Sequence, residues 1–176
     1  NVQGAYGGPL TSRWSARVSA LYQRRDDWVT NTRSDAPAQG FEGYDEGAAR
    51  VQFLYEGDGF EGLFNLHKRK LNGTARLFRA NIIQPGSNKL VENFDRDEVA
   101  TDGQNFSDLE TWGGSARLKW DLGRVTLHSI TGYETAESLN HGDIDGGYGA
   151  AFLGAGNYGP GFIPFPSESA DGLPHH

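Results

Sequence analysis

A chain of 176 residues, 36% of them hydrophobic, is long enough for one domain, but no run approaches the roughly 20 consecutive apolar residues of a transmembrane helix. A formal charge of -7 argues against a nucleic-acid partner, which would want a basic face. Twenty-five Gly and 12% aromatic residues suit a sheet protein with many turns, while the absence of Cys is ordinary in the envelope and in the cytosol alike. Low mean hydropathy leaves a membrane β-barrel open, because only alternate residues of its strands face lipid.

The apolar pattern predicts three hairpins, each with a short turn and each followed by a long loop. Strands 1–10 and 14–30 precede loop 31–46; strands 47–55 and 60–71 precede loop 72–108; strands 109–120 and 125–136 precede loop 137–176. In the second strand Trp14, Ala16, Val18, Ala20 and Tyr22 alternate with Arg13, Ser15, Arg17, Ser19, Gln23 and Arg25, with Leu21 an exception. In the third, Ala49, Val51, Phe53 and Tyr55 alternate with Arg50, Gln52 and Glu56. The fourth sets Phe60, Gly62, Phe64 and Leu66 against Glu61, Asn65, His67 and Arg69. The fifth sets Trp112, Gly114, Ala116, Leu118 and Trp120 against Thr111, Ser115, Arg117 and Lys119. The sixth is weaker, with Val125, Leu127 and Tyr133 on one side and Ile130 misplaced on the other. The period is two throughout, the period of a strand with one apolar face.

Opposed residues in an antiparallel pair share a face, so the turns can be tested for consistency. Turns at 11–13, 56–59 and 121–124 set Leu10 opposite Trp14, Tyr55 opposite Phe60 and Trp120 opposite Val125. The last register then places Leu118 opposite Leu127 and Trp112 opposite Tyr133. All three hairpins keep their apolar residues on one side.

Aromatics bound that side at two heights. Trp14, Tyr55, Phe60 and Trp120 lie beside the short turns, and Tyr22, Trp112 and Tyr133 lie about eight residues further along, on the order of 20 Å of membrane normal for tilted strands. Outer-membrane barrels carry an apolar band about 25 Å tall between two such girdles, with short turns at one end and long loops at the other. Aromatic strand ends also occur where two sheets pack face to face. The expected fold is all-β, an antiparallel meander of about six long strands forming an incomplete segment of a transmembrane barrel. Single-chain bacterial barrels begin at about eight strands, and open edges in hydrocarbon would cost several kcal/mol per unpaired backbone group. The chain opens on Asn1 without a signal segment and stops within a loop at His175-His176, so it is expected to be a piece of a longer protein.

The segments 2–10 (VQGAYGGPL) and 14–29 (WSARVSALYQRRDDWV) resemble the early barrel hairpin of TonB-dependent outer-membrane receptors. The stretches 47–56 (GAARVQFLYE), 114–120 (GSARLKW) and 127–134 (LHSITGYE) extend the likeness, which covers the strands from 1 to about 136 and stops short of the long loops. The resemblance implies residence in the outer membrane of a Gram-negative cell, a barrel of about 22 strands, an N-terminal plug within it, and a segment that binds TonB. It also implies energy-coupled uptake of a scarce small ligand, such as a siderophore, vitamin or oligosaccharide. Plug and TonB-binding segment are absent from this stretch, which would be part of the N-terminal half of the barrel.

Other motifs carry less. Residues 154–159 spell G-x-G-x-x-G, but Pro160 follows and no strand-to-helix context presents a phosphate to a helix N-terminus. The stretch 141–146 sets Asp143 and Asp145 beside Gly146 without the other ligands of a calcium loop. Asn72 and Asn105 head glycosylation sequons that a bacterial outer membrane would leave unused. His67, His128, His141, His175 and His176 have no metal-site spacing, and no nucleophile–base pair stands out, so neither an enzyme nor a cofactor or metal site is expected.

Arg17, Arg25, Arg50, His67, Arg69, Arg117 and Lys119 fall on the polar side, as a hydrated wall facing a lumen or plug, or as direct ligand contacts. Tyr148, Phe152, Tyr158, Phe162 and Phe165 lie in the last loop, where they could stack on an aromatic or sugar ligand or fold together as a lid. The alternative class is a soluble, secreted β-sheet binding module, for instance for carbohydrate, with the aromatic face as its platform or core.

Overall fold

The computed structural model describes residues 1–79 and 82–144, and the backbone of one further strand at 168–175. The strands in chain order are β1 (Val2–Pro9), β2 (Trp14–Arg25), β3 (Val29–Asn31), β4 (Gly40–Phe41), β5 (Tyr44–Gly57), β6 (Phe60–Gly73), β7 (Glu98–Val99), β8 (Phe106–Asp121), β9 (Thr126–Asp143) and β10 (Glu168–His175). No helix occurs among the described residues.

The long strands form one seven-stranded sheet in the order β1-β2-β5-β6-β8-β9-β10, every neighbour antiparallel. The six expected strands therefore do form a meander in sequence order. It is open, with β1 and β10 as its outer strands. Strands β5, β6 and β8 each run two or three residues beyond an expected end, and the larger differences lie elsewhere. The strand expected over 14–30 stops at Arg25, and Val29–Asn31 turn away into a second sheet. The strand expected over 125–136 runs on to Asp143, and β10, inside the stretch expected to be loop, pairs along its outer edge. The loops 31–46 and 72–108 each contribute a short strand, β4 and β7.

Register follows the turns. In the first hairpin Pro9 stands opposite Ser15, leaving the expected three-residue loop 11–13, where the Thr11 hydroxyl accepts from the Arg13 and Trp14 amides. In the second, Gly57 stands opposite Phe60, so the turn is the two residues Asp58-Gly59 and Tyr55 faces Gly62 instead of Phe60. Asp-Gly is a preferred two-residue hairpin turn, and Gly59 takes the left-handed φ of 71° that such a corner requires. In the third, Trp120 stands opposite Leu127, not Val125, Leu118 opposite Ser129 and Trp112 opposite Thr135. There the Asp121 carboxylate accepts from the Gly123 amide at 2.9 Å, holding Asp121 at the strand end and leaving 122–125 as the loop. Both shifts are of two residues, which moves neighbours but keeps every side chain on its face.

The main sheet has no apolar core. Val18 is 51% exposed and Tyr133 55%, and neither face is covered by a second layer among the described residues. The buried hydrophobics are Val29, Phe41 and Val99, with Ala38 and Leu77 packed against them. They belong to the small sheet β4-β3-β7, in which β3 pairs antiparallel with β4 and parallel with β7. The two long loops thus fold on each other at the end of the sheet away from the short turns.

Candidate functional site

The two faces of the large sheet are chemically distinct. On one, a row of rings crosses four strands beside the short turns. Trp14 and Tyr55 lie 5.0 Å apart between ring centres, Tyr55 and Phe60 5.7 Å, and Phe60 and Trp120 5.4 Å. Further along, Trp112 and Tyr133 are 5.5 Å apart as diagonal neighbours, and the Tyr22 hydroxyl donates to Asp45 at 2.7 Å. Val18, Val51, Phe53, Phe64, Leu66 and Leu118 lie between these rows. Beyond the upper row the apolar surface ends in charge, with Lys68 paired to Glu110 at 2.6 Å. An apolar band edged by rings and then by ions is thereby laid out on one surface.

The other face carries every cation expected there. The pairings Arg17↔Gln52, Ser19↔Arg50, Arg50↔His67, Ala48↔Arg69, Leu63↔Arg117, Glu61↔Lys119 and Arg25↔Tyr44 place all seven on that side. Arg69 donates to Glu46 at 2.6 Å, and Gln23 donates to the same carboxylate, so a buried Glu46 is held by two partners. Lys119 lies 3.8 Å from Glu61. Arg25 donates to the Glu42 carbonyl at 2.7 Å and stacks over the Tyr44 ring. His67 is bound on both nitrogens: Asn65 donates to Nδ1 at 3.2 Å, and Nε2 meets the Glu134 carboxylate at 2.8 Å. This face also holds Leu54 opposite Leu63, with Ile130 beside Arg117, so it is less uniformly polar than the alternation implies.

A hollow of about 530 Å³ lies across β1, β2, β5, β6 and β8, lined by Ser19, Leu21, Ala48, Arg50, Arg69 and Thr111 among others. Its lining sets small side chains beside long ones, with Ser19 directly across from Arg50 and Ala48 directly across from Arg69. Glu46, Gln23 and Glu134, which organise the cations around it, were not singled out from the sequence. Strand parity would have placed Gln23 and Glu134 there, whereas Glu46 fell in the expected loop 31–46 and joins the face only because β5 begins at Tyr44.

Above the sheet, the small sheet is fastened by the buried Asn31, whose amide nitrogen donates to the Ala38 and Thr101 carbonyls at 2.8 and 2.9 Å. Its oxygen accepts from the Thr101 and Arg33 amides. Arg33 forks onto both Asp35 oxygens at 3.2 and 3.0 Å and lies 3.5 Å from Asp102. The Arg33 guanidinium holds the exposed Asp35 carboxyl below its ordinary value, helped by a backbone hydrogen bond. The loop aromatics Tyr148, Phe152, Tyr158, Phe162 and Phe165 lie outside the described residues.

Comparison with protein-family models, with curated proteins and with solved structures returns no match.

Proposed function

We propose that this chain is part of the wall of a TonB-dependent outer-membrane receptor, which takes up a scarce small ligand. The observation that carries the reading is the band of uncovered aliphatic side chains edged by aromatic rings, on a sheet whose opposite face is charged. Exposed apolar patches beyond a few hundred Å² are unusual on soluble monomers. Lipid is the solvent that suits such a face, and a hydrated lumen suits the other. Seven strands with two outer edges call for further strands to complete a closed wall, since unpaired backbone groups are costly in hydrocarbon. The plug, TonB and an extracellular ligand are the partners this reading supplies, and it assigns no catalytic step.

The test is solvent. Purified without detergent, the protein should aggregate, and in detergent it should run as a folded, heat-modifiable band. A monodisperse, detergent-free monomer in analytical ultracentrifugation would favour the secreted binding module, with Trp14, Tyr55, Phe60 and Trp120 as its platform.

A further inference from the structure

We infer that the hollow around Arg50 is a binding site for a small organic carboxylate. Of the basic side chains that line it on this face, Arg69 is answered by Glu46 at 2.6 Å and His67 meets Glu134 at 2.8 Å. The Arg50 side chain makes no hydrogen bond or ion pair with any described residue, and neither do the hydroxyls of Ser19, directly across from it on β2, or Thr111, directly across from Arg69 on β8. One free guanidinium and two free hydroxyls therefore share one concavity. Arg17 stands diagonally from Arg50 across the same strand pair and is also without an ionic partner among the described residues.

The shape and floor narrow the ligand. A guanidinium presents a planar fork of donors that matches a carboxylate. Leu21 and Ala48 give the hollow an apolar floor on which a carbon skeleton can rest, which an inorganic anion would leave unused. Its volume of about 530 Å³ falls within the range of roughly 300–1,000 Å³ typical of small-molecule sites. These features favour a free solute over the acidic side chains of a polypeptide. The inference deepens the transport reading by giving the charge class of a solute met on the inner face, and it rests on that reading only for the word inner.

Ligand-observed NMR on the intact protein in detergent, at low ionic strength, tests it with benzoate and its neutral counterpart benzyl alcohol. Benzoate should bind at least about tenfold more tightly, the factor expected of one charge-assisted hydrogen-bonded pair. Arg50→Gln should abolish that preference, Ala48→Leu should weaken benzoate by filling the floor with the charge intact, and Arg13→Gln, at the short-turn end of the sheet, should change nothing. Equal binding of the two probes, benzoate binding unchanged in Arg50→Gln, or no benzoate binding by a protein that still gives a heat-modifiable band would overturn the site while leaving the barrel reading intact. Binding of a glutamate-rich peptide without benzoate would overturn the assignment to a free solute. Loss of the heat-modifiable band from the unsubstituted protein speaks to the barrel reading alone, since the benzoate comparison can be run on a soluble form.

Discussion

Glu134 on β9 reaches over Gly113 on β8 to hold His67 on β6 at 2.8 Å, so two side chains with a whole strand between them are joined directly. Gly113 makes the bridge possible. A Cβ at that position would lie 2.5 Å from the Tyr133 carbonyl oxygen and closer still to the Glu134 carboxylate. Gly113→Ala should therefore cost about 1–3 kcal/mol as an overpacked site. Glu134→Gln should cost at most about 1 kcal/mol, because the contact is partly exposed and an amide can still hydrogen-bond the imidazole. Since the carbonyl clash outlasts the carboxylate, Gly113→Ala should remain harmful in the Glu134→Gln background. Urea titration of the folded band gives all three values. A Glu134→Gln loss as large as that of Gly113→Ala would show that the pair, not the strand spacing, governs this site.

The two faces should respond differently to the same intruder. Val18→Arg and Leu118→Arg put a charge in the middle of the apolar band, where such changes cost roughly 2–4 kcal/mol in barrels. Ser19→Arg, one residue from Val18, and Ser115→Arg, three from Leu118, place it on the opposite face, next to water and other polar groups, and should be tolerated far better. The yield of folded, heat-modifiable protein reports the difference. Equal losses on both faces would contradict the lipid assignment.

Asn31→Ala should loosen the small sheet while leaving the large one intact. It removes a side chain that satisfies two carbonyls and accepts from two amides in a buried place, a loss of about 1–3 kcal/mol for groups left unpaired. Limited proteolysis should then cut within 31–43 and 95–105 much faster than in the unsubstituted protein, with the folded band unchanged. Unaltered cleavage would mean that the Val29, Phe41 and Val99 cluster alone secures the loops.

Acid should open the same region through Asp35. Its carboxyl is held below the ordinary value by Arg33, so its contribution is complete above the ordinary carboxylate value and disappears as pH falls through the lowered one. Cleavage within 32–39 should rise at that acidic limb. Asp35→Asn should show the raised cleavage already at neutral pH and a weaker rise on acidification. A parallel acid response in both proteins would assign the effect to other carboxylates, such as Asp102.

Faces were legible in the sequence and two of the three hairpin registers were not, for the same reason. Alternation has a period of two, so it fixes which side Phe53 or Arg117 occupies but is blind to a slide of two residues. Tyr55 and Trp120 accordingly kept their face and exchanged partners, to Gly62 and Leu127. The turn chemistry that decides between these registers, Asp58-Gly59 and the Asp121 cap on Gly123, is local and was present to be read. The small sheet was less accessible. Val29, Phe41 and Val99 are isolated apolar residues in polar stretches, each too short for periodicity, and only their meeting in space makes a core. The hollow at Arg50 likewise needed partners to be assigned before an unpaired guanidinium could be distinguished from paired neighbours such as Arg69.

The parallel pairing of β3 with β7 joins Thr30 to Glu98, residues from loops that follow different hairpins. Contacts so far apart in the chain form late, because the intervening segment must be ordered before they can reward its closure. Here that segment includes all of β5 and β6. The small sheet can therefore assemble only once the second hairpin has taken its place beside the first. Burial of Phe41 thus ties two loops together across the whole second hairpin, and a probe of that one side chain would report on the pairing of the strands below it.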